Sequence, residues 1–103
     1  MPVTAMIIDA SDHVATCLAP VKRGEKVRLM LNGRMGETIT ANQAIPYIHK
    51  ICIKPLKKGA HCLKYGLSIG VASKAIKVGD YIHVHNLESA RGRGDLAKNP
   101  KSR

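Results

Sequence analysis

Hydrophobic residues in this chain fall in brief runs rich in β-branched and aliphatic side chains, separated by tight turns. The first three runs predict strands over 5–8, 14–18 and 26–31. Asn32-Gly33 follows the third and is a two-residue hairpin signal, since both residue types tolerate the positive φ of a type I′ turn. The return strand is expected over 37–40 with Gly36 as a bulge, then one helical turn over 41–44 before Ile45-Pro46. Further strands are predicted over 50–53, 61–64, 68–72 and 81–85. No stretch carries an amphipathic helix of the usual length. The pattern is that of an all-β domain.

A short motif recurs three times: Val21-Lys-Arg-Gly24-Glu-Lys-Val27, Leu56-Lys-Lys-Gly59-Ala-His-Cys62 and Ile76-Lys-Val-Gly79-Asp-Tyr-Ile82. Each copy reads apolar, lysine, any residue, glycine, two residues, apolar. Glycine relieves the steric cost of positive φ, so each copy predicts a tight turn that launches a new strand. The spacing is unequal, which argues against a solenoid or propeller and for short strands that reverse repeatedly.

Composition narrows the function classes. A chain of 103 residues is one domain with one core, small for an enzyme with a deep pocket of its own. With no Trp, no Phe and three Tyr, the core must be aliphatic. No apolar run reaches the roughly 20 residues of a membrane helix, and the first residues lack a basic segment and an apolar core of signal-peptide length. A cytoplasmic protein without membrane contact is expected. Cys17, Cys52 and Cys62 form no Cys-x-x-Cys pair and sit in apolar surroundings, so buried reduced thiols are expected. The net charge of +10 favours polyanions. Nucleic acid is nevertheless disfavoured, because aromatic stacking platforms and a known binding motif are missing. Small carboxylates or an acidic partner surface fit the charge better.

The candidate chemistry concentrates in Tyr81-Ile-His-Val-His-Asn-Leu-Glu-Ser-Ala-Arg-Gly-Arg-Gly-Asp95. If residues 81–85 form a strand, Ile82 and Val84 share one face while His83 and His85 share the other, with Asn86 at the rim. Two imidazoles on one face can ligate a metal or bracket a proton transfer. Arg91 and Arg93 follow on glycine-spaced backbone, and each guanidinium can grip a carboxylate or phosphate through two parallel hydrogen bonds. A His-rich exposed strand running into a basic loop would show the same residues without any ligand. The final Lys98-Asn-Pro-Lys-Ser-Arg103 is polar, basic and expected to be a flexible arm.

Four motifs together resemble a known family: Ile45-Pro-Tyr-Ile-His-Lys50, Lys64-Tyr-Gly-Leu-Ser-Ile-Gly70, Ile76-Lys-Val-Gly-Asp80 and His83-Val-His-Asn-Leu-Glu-Ser-Ala-Arg-Gly-Arg-Gly-Asp95. With the opening Asp9-Ala-Ser-Asp-His-Val14 they span about residues 5–95 in the expected order. The chain is similar to the SAF-type domain of altronate and galactarate dehydratases, which also occurs as a separate small subunit in altronate dehydratase-like and sulfolactate sulfo-lyase enzymes. It departs from the family at Ile48, where Gly is common before the His-Lys pair, at Ser68, where Pro is frequent, and at His13, where Asn is frequent.

The resemblance implies a β-clip domain over residues 1–95 followed by a basic tail over 96–103. It implies a small subunit of a hydro-lyase that eliminates water from a sugar acid and supplies part of the site to a large dehydratase subunit. The alternatives are a sulfolactate sulfo-lyase small subunit and a non-catalytic carbohydrate- or protein-binding module. His49, His83 and His85 are the candidate catalytic residues, and Lys50, Asn86, Arg91 and Arg93 the candidates for binding a small hydroxy acid. A divalent metal, iron or manganese, shared with the large subunit, would use His83 and His85. Only seven acidic residues are present, too few for a carboxylate-rich metal cage within this chain.

Overall fold

The computed structural model describes residues 2–89, and these fold into two small β-sheets. β1 (Val3–Ile7), β2 (Val14–Cys17), β3 (Lys26–Leu31), β4 (Arg34–Thr40), β5 (Lys50–Cys52) and β8 (Tyr81–Ile82) form a six-stranded sheet in the order β4-β3-β1-β2-β5-β8. β6 (His61–Lys64), β7 (Leu67–Ala72) and β9 (Leu87–Glu88) form the second, in the order β6-β7-β9. The all-β reading holds. Among the described residues no helix is long and apolar enough to cross a membrane. The expectations for Arg91, Arg93 and the 96–103 tail lie outside the described residues.

The β3–β4 hairpin follows its sequence signal. Asn32 and Gly33 take φ of 53° and 77°, as a type I′ turn requires. Between the pairs Arg28↔Thr38 and Met30↔Met35, β4 carries one residue more than β3, so the bulge falls at Gly36–Glu37. β4 starts three residues earlier than expected, directly at the turn. The helical turn expected over 41–44 does not form. Its backbone is spent elsewhere: Ala41 N–H donates to Glu25 O, Asn42 N–H to Gly79 O and Ile45 N–H to Val21 O.

The three-fold motif is four-fold in the structure. Ile45-Pro-Tyr-Ile48-His-Lys-Ile51 makes the same turn as the three glycine copies. In all four the fifth residue's N–H returns to the second residue's carbonyl: Glu25 to Lys22, His49 to Pro46, Ala60 to Lys57 and Asp80 to Lys77. The fourth position has positive φ each time: Gly24 84°, Ile48 71°, Gly59 90° and Gly79 95°. This is the type II arrangement, which demands positive φ at its third residue. The sequence hides the fourth copy because isoleucine stands where glycine is the natural occupant.

The copies also pair with one another. Val21 and Ile45 exchange both backbone hydrogen bonds, and so do Leu56 and Ile76. The apolar residues that open and close each copy are buried and build two aliphatic cores. One holds Val21, Val27, Ile45 and Ile51; the other holds Leu56, Cys62, Ile76 and Ile82. The three thiols lie in these cores, unbridged. Burial pushes Cys17 and Cys62 up to about 11 and Cys52 to about 12, so none is a thiolate nucleophile near neutral pH.

Residues 12 and 13 fasten the second sheet to the first. His13 N–H donates to Leu63 O, and Leu63 N–H donates to His13 Nδ1 at 3.0 Å, which requires that nitrogen to be unprotonated. Burial lowers the His13 pKa below its ordinary 6.5, with Lys54 assisting and Asp12 opposing. The unfolded chain therefore takes up this proton at higher pH than the folded one. The stabilisation is complete above the unfolded value and is lost as pH falls through it towards the folded value. Thermal unfolding followed from about pH 7 down to about pH 5 should show a falling melting temperature. His13→Asn, whose amide oxygen can accept the same bond without titrating, should flatten that part of the curve.

Candidate functional site

The site is organised by the junction of the second and fourth turns with the β5–β8 pair. β5 and β8 are antiparallel, with Lys50 opposite Ile82 and Ile51 opposite Tyr81. One step further along the register, His49 comes beside His83. Their ring centroids are 5.1 Å apart at 44°. Tyr81 stacks on His83 at 5.6 Å and 12°, meets His85 at 5.4 Å and 55°, and meets His49 at 5.7 Å and 55°. His49 Nδ1 lies 2.6 Å from the Tyr81 hydroxyl. Three imidazoles thus surround one phenol. His49 is half-buried and His83 and His85 are exposed.

The expected strand over 81–85 stops at Ile82. The cause is Asn86, which is 4% exposed. Its Oδ1 accepts the His83 N–H at 3.0 Å and its Nδ2 donates to Tyr81 O at 2.8 Å, while Asn86 and Leu87 N–H both return to His83 O. A short polar side chain here outcompetes the ladder for the backbone and turns it. His83 and His85 therefore do not share a pleated face; a rigid turn brings both to Tyr81. Both ends of the Asn86 amide make hydrogen bonds inside the chain, and these hold the turn.

Tyr81 is itself held from the segment between β4 and β5. Its N–H donates to Gln43 Oε1 at 2.8 Å. The neighbouring Asp80 carboxylate accepts from Lys77 N–H at 2.9 Å, from Asn42 Nδ2 at 2.8 Å and from Gln43 Nε2 at 3.4 Å. Burial alone would raise the Asp80 pKa; the Lys77, Asn42 and Gln43 donors together outweigh it and hold the group below its usual value.

Beside the rings lies a pocket of about 270 Å³. Lys50, His83, Glu88 and Ser89 supply polar groups to its lining, and Ile69, Val84 and Leu87 apolar ones. Ile69 is the extra residue of a bulge, since Cys62 pairs with Gly70 and Leu63 with Ser68. A bulge re-aims the side chain it inserts.

The structure thus brings His49, Lys50, His83 and His85 to one place. Arg91 and Arg93 lie outside the described residues. Sequence reasoning missed Tyr81, although the signal was present: Tyr81, His83 and His85 share parity in the alternating run. Its contact with His49 depends on the pairing of two strands some thirty residues apart, which no local pattern reveals. Among the described residues no group of three or more His, Cys, Asp or Glu is arranged to hold a metal ion. His83 and His85 alone do not make a metal site.

The model of the altronate/galactarate dehydratase SAF domain matches residues 3–90. The chain belongs to this family. Among relatives, altronate dehydratase of Escherichia coli is 37% identical over 79 residues, which is 77% of this chain and 15% of that enzyme. Altronate dehydratase of Bacillus subtilis is 33% identical over 82 residues, 80% of this chain and 16% of the enzyme. The SAF domain here therefore spans only a small part of the dehydratases it matches. The (2R)-sulfolactate sulfo-lyase subunit alpha of Chromohalobacter salexigens is 29% identical over 96 residues, covering 88% of this chain and 99% of that subunit. A SAF domain of this size is thus a whole subunit in one relative and a fraction of a longer chain in others.

Proposed function

We propose that this SAF domain is the small part of an altronate dehydratase-type lyase, working with a larger catalytic chain to eliminate water from a sugar acid. The observation that carries the reading is the gathering of His49, His83 and His85 around Tyr81, next to a pocket with Lys50 in its wall. Removing the proton beside a carboxylate builds concentrated negative charge on the carboxylate oxygens. The reaction needs cationic or hydrogen-bonding groups there, and groups that carry protons to and from carbon and the departing hydroxyl. Lys50 supplies a cation and the imidazoles supply donors and acceptors. Arg91 and Arg93 are the proposed clamp for the substrate carboxylate. A divalent metal, iron or manganese, enters only as a group held jointly with the larger chain, with His83 and His85 as this chain's contribution.

A second reading has its own support. The match to a sulfo-lyase alpha subunit runs over 99% of that subunit, which supports elimination of sulfite from sulfolactate as the alternative reaction. The test is purification of the tagged chain with its larger partner from its own cells, then assay for loss of water from sugar acids and for sulfite release from sulfolactate. The chain alone should be silent and the complex active. His49→Ala or His83→Ala should lower kcat/KM by about 100-fold or more without dissociating the complex. A complex that keeps full activity in both variants would leave this chain a non-catalytic binding module.

A further inference from the structure

We propose that Tyr81 is a positioning residue that fixes His49 as the Nε2–H tautomer, so that this imidazole meets an anionic oxygen as a hydrogen-bond donor. The inference deepens the lyase reading and rests on it only for the identity of the anion. A neutral imidazole has one protonated and one unprotonated nitrogen, and the bond made by one decides the state of the other. His49 Nδ1 faces the Tyr81 hydroxyl at 2.6 Å. Of the two ways to place the shared proton, phenol O–H to imidazole nitrogen joins the stronger donor to the stronger acceptor. The Nδ1 lone pair is then occupied, and the ring proton sits on Nε2.

Four further contacts keep the phenol from turning away. Its ring lies flat against His83 and touches His85. Its backbone is paired with Ile51 and held by Gln43. The half-buried His49 ring is fixed in turn, because its own N–H closes the Pro46–His49 turn and its carbonyl accepts the Cys17 N–H at 2.9 Å. Nε2 has no hydrogen-bond partner among the described residues. A donor at Nε2, followed in sequence by the ammonium of Lys50, suits a carboxylate or the charge that develops on it, and does not suit a role for His49 as the base.

Long-range proton–nitrogen correlation spectra of the labelled full chain decide this, recorded at about pH 8 where imidazoles are mostly neutral. In the wild type, His49 Nδ1 should resonate as an unprotonated ring nitrogen and Nε2 as an N–H. Tyr81→Phe keeps the ring contacts and removes the hydroxyl, and should shift His49 towards the mixed-tautomer values of a free neutral imidazole. A protonated Nδ1 in the wild type, or a tautomer that Tyr81→Phe leaves unchanged, would overturn the proposal. The wild-type spectrum is informative even if the variant folds poorly. Because no substrate is needed, a failure here is separate from a failure to turn over sugar acids.

Discussion

Gly79→Ala is expected to lower the melting temperature by about 15 °C or more, whereas Gly24→Ala and Gly59→Ala lower it by about 5–10 °C. The three glycines occupy the same position of the same turn, with φ of 95°, 84° and 90°. Left-handed backbone strains an alanine by about 1–2 kcal/mol in each case. The surroundings differ. A Cβ at Gly24 or Gly59 would meet nothing within 4 Å, while at Gly79 it would stand 2.3 Å from Thr40 O and 3.1 Å from Asn42 Nδ2. Backbone there must move, which brings the total to about 3 kcal/mol or more. The displaced segment is the one that holds Asp80 and Tyr81, so the imidazole cluster should loosen with it. The reverse change belongs to the same argument. Ile48→Gly relieves a β-branched residue at φ 71° and, after the entropy gained by the unfolded chain, should stabilise by up to about 1 kcal/mol. Thermal unfolding of the four variants measures all of this, and equal losses at the three glycines would contradict it.

Asp12→Ala is expected to destabilise by about 2–4 kcal/mol and to expose the β6–β7 turn to exchange. Asp12 is fully buried, and its carboxylate accepts three backbone N–H groups: Asp9 at 3.0 Å, Tyr65 at 3.0 Å and Gly66 at 2.9 Å. Tyr65 and Gly66 are the two positive-φ residues of the hairpin turn, at 59° and 73°, and their N–H groups point at Asp12 rather than across the hairpin. Removing the carboxylate leaves three donors without an acceptor. Asp12→Asn keeps the shape but turns an amide NH2 towards a donor, so about half the loss should remain. Denaturant unfolding gives the magnitude, and hydrogen exchange at the Tyr65 and Gly66 amides gives the mechanism. Unchanged protection at those two amides in Asp12→Ala would sink it.

The legible parts of the fold were those set by neighbours in sequence. Asn32-Gly33 announces its hairpin because positive φ is a property of those two residues, and β3 and β6 were bounded correctly by alternation between turn residues. The 81–85 strand failed for a local reason that alternation cannot show: one Asn side chain, three residues on, takes the His83 N–H. The turn over 45–51 was missed because isoleucine at position 48 carries no turn signal; pairing of Ile45 with Val21 forces the conformation. The helical turn over 41–44 was lost to hydrogen bonds with Glu25, Val21 and Gly79, all distant in sequence.

For the site, side-chain chemistry was readable and geometry was not. The sequence alone determined an all-β chain with an aliphatic core, inert thiols, a basic surface and a set of imidazoles and cations suited to carboxylates, since these follow from residue type and short spacing. Family membership was legible for the same reason, being carried by ordered motifs. Tertiary structure decided that His49 and His83 meet, that Tyr81 joins them and that Asn86 is spent on the backbone. Those facts depend on the register of β5 against β8, fixed by buried Ile51 and Ile82 packing into two cores. A register is a long-range agreement between two segments, and neither segment contains it alone.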